Sequence, residues 1–374
     1  MLNAIRLGNF KAARNLNISL APLTLLSGLN GSGKSTVLQS LAAIRQSYEF
    51  GHGQGLVLGG TLVTLGQGSD VLSEGARTDS ISIVVIENGY EFVWECKVAP
   101  DANELAFSKL PTDRPSFVSA SNFQYLQADR IVPRTLYPQA GQQARQLGFL
   151  GSHGEFTADF LARNGRMPVS EMRRCPMDGA LKDKALWDQI APTHLLQDQV
   201  AGWLQQVSPG VHLIAEPLSG ADEVMLQFRY IGTTQGPSKY HRPTNVGFGL
   251  TYSLPIIVAC LSASAGSLLL IENPEAHLHP NGQVRIGQLL ARCATDGVQI
   301  LLETHSDHVL NGIRLAVKNG ELQSDDVKLA YFTRDVESGE CFVETPSILP
   351  TGDLSNWPDG FFDQWEKSLD ALLN

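Results

Sequence analysis

Gly28-Leu29-Asn30-Gly31-Ser32-Gly33-Lys34-Ser35-Thr36 carries the pattern G-x-x-x-x-G-K-[ST]. The apolar run Leu23-Thr24-Leu25-Leu26 ahead of it is strand-like, and residues 37–45 behind it, rich in Leu, Ala and Gln, read as a helix. Strand, glycine-rich loop and helix form the context in which this pattern holds phosphate. The glycines let backbone N–H groups turn inward around an anion, and the helix start adds partial positive charge. In that arrangement Asn30, Gly31, Ser32 and Gly33 form the cradle, and Lys34 reaches the β- and γ-phosphates. The hydroxyl of Ser35, with Thr36 beside it, faces Mg²⁺.

Residues 4–7 and 16–20 read as strands leading into this loop. Between them lies Asn9-Phe10-Lys11-Ala12-Ala13-Arg14. Either Phe10 and the cations Lys11 and Arg14 touch a nucleotide's base, ribose or α-phosphate, or the segment only joins two strands. A glycine-dense loop spans 51–60, and Gln67 follows at a distance where a Gln can bind Mg²⁺ or a water at the γ-phosphate. Residues 80–98 predict an antiparallel hairpin: Ile81, Ile83 and Val85 alternate, Asn88-Gly89 turns the chain, and Phe92, Trp94 and Cys96 return. Residues 100–116, with Pro100, Pro111 and Pro115, read as loop, and 125–133 as a strand stopped by Pro133.

Residues 157–163 and 182–207 read as helices without a sustained heptad. Arg163, Arg166, Arg173, Arg174, Lys182 and Lys184 gather positive charge there, as a nucleic-acid or partner surface or as a solvated helical face. The chain as a whole carries a net charge of −10, which argues against a mainly nucleic-acid-binding surface. Hydrophobic content of 43% and charged content of 18% fit a soluble globular protein. Cys96, Cys175, Cys260, Cys293 and Cys341 are scattered without a C-x-x-C, so a reduced, cytoplasmic compartment with buried thiols is expected. The first residues lack the apolar run of a signal peptide. The apolar stretch 254–271 is interrupted by Ser262, Ser264, Gly266 and Ser267 and reads as a buried helix, turn and strand, not a membrane span.

That strand ends in Glu272-Asn273-Pro274-Glu275. A carboxylate at a strand end, Glu272, is the expected holder of Mg²⁺ and its waters. Residues 298–303 form another apolar strand and deliver Thr304-His305-Ser306, where His305 is suited to touch the γ-phosphate and the attacking water. His277, His279, His305 and His308 lack the spacing and cysteine pair of a zinc site.

Residues 28–36, I-E-N-P-E-A-H-L-H-P at 271–280 and E-T-H-S-D-H at 303–308 together resemble the ABC-type ATPases of the SMC, RecF and OLD group. The likeness is sharpest to stand-alone bacterial members found with phage-defence and genome-maintenance genes. It extends to N-V-G-F-G-L at 245–250 and N-W-P-D-G-F-F-D at 356–363, and covers 139–206 only loosely. The resemblance implies an α/β P-loop NTPase fold of ABC type: a mixed sheet core, an antiparallel β subdomain and a helical insert. An N-terminal ATPase lobe over 1–138, the insert over 139–210 and a C-terminal lobe over 211–374 follow from it, with no room for the nuclease domain of OLD enzymes.

It implies ATP and Mg²⁺ as cofactors, bound between two copies, with Asn245, Gly247 and Gly249 as the signature that closes over the other copy's nucleotide. Two positions depart from the family pattern. Gly247 stands where a Ser is usual, leaving Asn245 or Thr251 as donor. Glu272-Asn273 replaces Asp-Glu, so the expected general base is an amide that positions water but cannot take its proton. Glu275 or His305 would have to compensate, and turnover is expected to be slow. The implied role is a homodimerising ATP switch for a separately encoded effector in anti-phage defence. The alternative is a RecF-like ATPase that acts on DNA itself.

Overall fold

The computed structural model describes residues 1–50, 53–119, 123–177, 184–231, 238–335 and 337–373. Lys182, the first residues of the glycine-dense loop and residues 232–237 lie outside the described residues.

The chain opens with β1 (Leu2–Phe10), β2 (Ala13–Ser19), β3 (Leu23–Gly28), α1 (Lys34–Phe50), β4 (Gly55–Val57) and α2 (Gly68–Val71). Next come β5 (Ser80–Glu87), β6 (Tyr90–Lys97), β7 (Glu104–Lys109), α3 (Ser116–Ser119), β8 (Phe123–Leu126) and β9 (Leu136–Pro138). Helices α4 (Gln142–Gln146), α5 (Thr157–Asn164), α6 (Lys184–Ile190) and α7 (Leu196–Val207) precede β10 (Val211–Pro217) and β11 (Glu223–Tyr230). The last part holds α8 (Phe248–Ser262), β12 (Leu268–Glu272), α9 (Pro280–Thr295), β13 (Gln299–Glu303), α10 (Asp307–Lys318), β14 (Val327–Arg334), β15 (Cys341–Glu344) and α11 (Gln364–Leu373).

Two compact units form. One joins Met1–Ala120 to Gln299–His305 and Gln323–Asn374; the other joins Ser121–Val298 to Ser306–Leu322. The boundaries expected at 138 and 210 do not mark them. The reason is parallel pairing, which leaves no local trace in sequence. Strand β3 lies between β13 and β14, both parallel to it, with Leu25 opposite Leu302 on one side and Leu329 on the other.

In the first unit, Leu23, Leu25 and Leu26 of β3 are wholly buried, as are Val37, Leu38, Leu41 and Ile44 of α1. A second sheet in this unit is antiparallel throughout, in the order β2-β1-β5-β6-β7-β4. Its β5–β6 hairpin turns at Asn88-Gly89, whose φ angles of 51° and 83° match the turn type expected. Strand β7 corrects the reading of 100–116 as loop. Only Leu105 is buried and Phe107 half-buried in it, an alternation of two residues too short to read among three prolines, and pairing with β6 and β4 forms the strand. Strands β14 and β15 form a C-terminal hairpin, with Phe332 opposite Val343. Phe361 is wholly buried among Tyr331, Trp357 and Phe362, which places the terminal aromatics against this unit.

In the second unit β8 runs parallel to β12, with Tyr125 opposite Leu270. A separate antiparallel sheet has the order β10-β11-β9. The apolar stretch at 254–271 forms most of α8, an exposed turn at 264–266 and β12, with the helix and the strand buried as expected. Pro255 sits inside α8, where it removes one helical hydrogen bond. The helix expected over 182–207 is two helices, broken around Pro192.

Candidate nucleotide site

The phosphate loop lies in the first unit. Gly28 has a φ of 141°, and a side chain there would place Cβ 2.2 Å from the Phe332 carbonyl oxygen. Glycine is therefore demanded by β14 as well as by the backbone angle. Gly33, at φ 101°, approaches Ala12 and Cys341 at 3.3 and 3.4 Å from an added Cβ. The Ser32 hydroxyl donates to Leu29 O at 2.7 Å and closes the loop.

Lys34 opens α1 and is almost fully buried. Its Nζ donates to Gly28 O at 3.0 Å and Leu29 O at 2.8 Å and lies 3.8 Å from Glu303 Oε1. Burial lowers its pKa, and Glu303 pulls it back up. A cavity of about 330 Å³ is lined by Asn30, Gly31, Gly33, Lys34, Ser35, Thr36, Lys11 and Glu303, among others. An adjacent polar cavity of about 450 Å³ shares Lys11 and Ala12 and is walled by Arg14, Asp70, Glu74 and Arg334.

Lys11 reaches the rim because it turns the β1–β2 corner at φ 52° and its Nζ donates to Gln39 Oε1 of α1 at 2.7 Å. Phe10 does not join it. Its ring is fully buried in the sheet, leaving no face for a base. Gln67 is exposed ahead of α2 and lines neither cavity, although nearby Ser69 and Asp70 line the second. His305 is the second residue after β13 and is exposed, while the N–H of Thr304 between them donates to Leu26 O at 3.1 Å beside the phosphate loop.

The acidic strand end and the signature lie in the second unit. Glu272 is nearly buried. Its Oε1 accepts from Tyr125 Oη at 2.5 Å and its Oε2 from Ala128 N at 3.1 Å. Burial raises its pKa against the pull of these hydrogen bonds and of Arg130. Arg130 is a site residue that sequence reading missed. Its guanidinium donates to Glu272 O and Asn273 O, and to Gln127 O, and lies over the Tyr252 ring at 5.7 Å. Burial lowers its pKa to about 10, with Glu275, Tyr252, Glu272 and Asp129 opposing. Only a lone Arg close behind a strand marked it in sequence.

Asn273 and His277 hold φ angles of 42° and 61°. Asn is among the few residues that take this conformation readily. Asn245, Gly247 and Phe248 are exposed at the start of α8, with Gly247 at its N-cap. An added Cβ at Gly247 would meet nothing within 4 Å, whereas one at Gly249 would lie 2.7 Å from His277 O. The Tyr252 and His277 rings stand 4.5 Å apart, so the loop after β12 packs on the first turns of α8.

Two basic residues of the insert are tied down, whereas Arg166 and Lys184 are exposed. Arg173 is buried against Asp296 at 2.6 Å and the carbonyls of Cys260 and Ala263. Arg163 pairs with Asp159 at 2.8 Å. Cys96, Cys175, Cys260 and Cys293 are buried and free, as expected, and Cys341 is partly exposed.

Among the described residues no group of three or more His, Cys, Asp or Glu could hold a metal ion, and no helix is long and apolar enough to cross a membrane. Mg²⁺ held by phosphates, water and one or two protein oxygens needs no such group. The Ser35 hydroxyl, an oxygen donor lining the phosphate cavity, fits that demand.

The family model "AAA domain, putative AbiEii toxin, Type IV TA system" matches residues 184–311. A model for a protein of unknown function, DUF3696, matches 322–372. No curated protein matches. Among solved structures, an SMC head bound to the C-winged helix domain of ScpA is 14% identical, with 93% of this chain and 98% of that chain covered and a TM-score of 0.48. The SMC head domain from Thermotoga maritima is 12% identical over 92% and 98%, with a TM-score of 0.42. An Smc head with an extended coiled coil, bound to the C-terminal domain of ScpA derived from Pyrococcus furiosus, is 12% identical over 100% and 99%, with a TM-score of 0.47. With its strand–loop–helix cradle and its parallel strands, the chain has an α/β P-loop fold, and part of it is similar to the AAA domain model.

Proposed function

We propose that the protein binds ATP with Mg²⁺, hydrolyses it slowly, and closes as two copies over the nucleotide to switch a separately encoded effector in the cytoplasm, in anti-phage defence. The observation that carries this reading is the cradle: three glycines at positive φ, an inward Lys34 and a cavity wide enough for phosphates. On this reading Lys34 leaves the carbonyls of Gly28 and Leu29 for the phosphates. Ser35 holds Mg²⁺, which neutralises charge building between the β- and γ-phosphates. Lys11 reaches the α-phosphate or ribose, with the neighbouring polar cavity for the base. His305 meets the γ-phosphate.

The exposed start of α8, Asn245, Gly247 and Gly249, supplies N–H groups to the nucleotide of the facing copy. The open space at Gly247 supports this, because its own chain does not require a glycine there. Asn273 orients water. The RecF-like alternative gains no specific support, since Arg163 and Arg173 are engaged internally.

The test is native mass with ATP and Mg²⁺. The wild-type protein should double in mass with ATP, and Lys34→Ala should stay single and fail to bind nucleotide. Nucleotide binding without any change in mass would leave the cradle and remove the switch.

A further inference from the structure

The reading above leaves Glu303 without a role, although it stands inside the phosphate cavity. It ends β13 opposite Leu26, the residue two positions before Gly28, and the following N–H is bonded to the same Leu26. Its backbone is therefore held beside the start of the phosphate loop. Its side chain is 8% exposed and faces Lys34 Nζ at 3.8 Å. Among the described residues the titratable groups lining the cavity are Lys11, Lys34 and Glu303, the last its one carboxylate.

A carboxylate aimed at a triphosphate repels it. As a counter-ion to Lys34 it is superseded once nucleotide binds, because on the reading above Lys34 turns to the phosphates. At Asn273, meanwhile, the place expected for a proton acceptor holds an amide in a left-handed conformation that favours Asn. One position lacks the base and another, at the phosphates, holds an unexplained acid.

We infer that Glu303 is the general base of hydrolysis, accepting a proton from the water that attacks the γ-phosphorus. The inference rests on the ATPase reading. The water oxygen bonds to the γ-phosphorus as the bond to the β–γ bridging oxygen breaks. The electron pair of that bond stays with the β-phosphate of ADP, inorganic phosphate forms, and the proton moves to the Glu303 carboxylate and then to solvent.

The experiment is single-turnover and steady-state hydrolysis by the full chain, with ATP affinity measured in parallel. Glu303→Gln should lose about 10²–10⁴-fold in kcat, while its Kd for ATP stays within about threefold of wild type or tightens as repulsion is removed. Glu303→Ala should regain at least tenfold with added formate. A kcat within threefold of wild type, or a loss matched by an equal loss of ATP affinity and not rescued by formate, would overturn the assignment. If Glu303→Gln does not fold, Glu303→Asp decides: a loss of tenfold or more supports the base, and unchanged turnover removes it. A wild-type protein that never hydrolyses ATP sinks the parent reading instead, which separates the two failures.

Discussion

Asn273 holds a backbone angle that Glu accepts poorly, so restoring the family's usual acid there carries a penalty. Asn273→Glu should destabilise the fold by about 1–2 kcal/mol in urea unfolding, and Asn273→Gly should be nearly neutral. Gly28→Ala is worse, because its Cβ would overlap the Phe332 carbonyl. About 3 kcal/mol or more is expected, with nucleotide binding lost alongside. Glu272 supplies a pH dependence. Its folded pKa is raised above the usual value near 4.5, chiefly by burial, so the folded chain binds more protons than the unfolded chain between those two values. Stability from this group is present below about 4.5 and is lost as pH rises through the raised value. Glu272→Gln should therefore gain on wild type as pH climbs through that window, read as the difference in urea midpoint. At this scale the phosphate loop was legible, because each of its residues has a stereochemical duty of its own. Arg130 and Glu303 were not, since their meaning depends on strand ends that only the folded chain brings near them.

Helices α9 and α10 cross at Gly287 and Gly312. An added Cβ on Gly287 would meet Val309 O at 2.3 Å, and one on Gly312 would meet Val284 O at 2.2 Å. Either Gly→Ala change should force the helices apart and cost about 1–3 kcal/mol, checked by thermal unfolding. The β5–β6 hairpin was readable from alternation and a two-residue turn, both local signals. Strand β7, with Leu105 as its single buried side chain, was not. The break between α6 and α7 could have been taken from Pro192, which cannot donate within a helix.

Across the whole chain, the first unit is assembled from three separate segments. A fragment ending at residue 138 would leave β3 without either parallel neighbour, so it should fail to fold cooperatively, seen as a broad or absent melting transition by circular dichroism. The family likeness reached the right fold through its motifs, yet it drew boundaries along the chain, whereas the units interleave along it. One feature of the cradle opens a practical route. Of the five thiols Cys341 alone is not buried, and it neighbours Gly33. A maleimide dye should thus attach at a single address, best at alkaline pH because burial raises this thiol's pKa. Its emission would then signal nucleotide arrival in real time without any engineered label site.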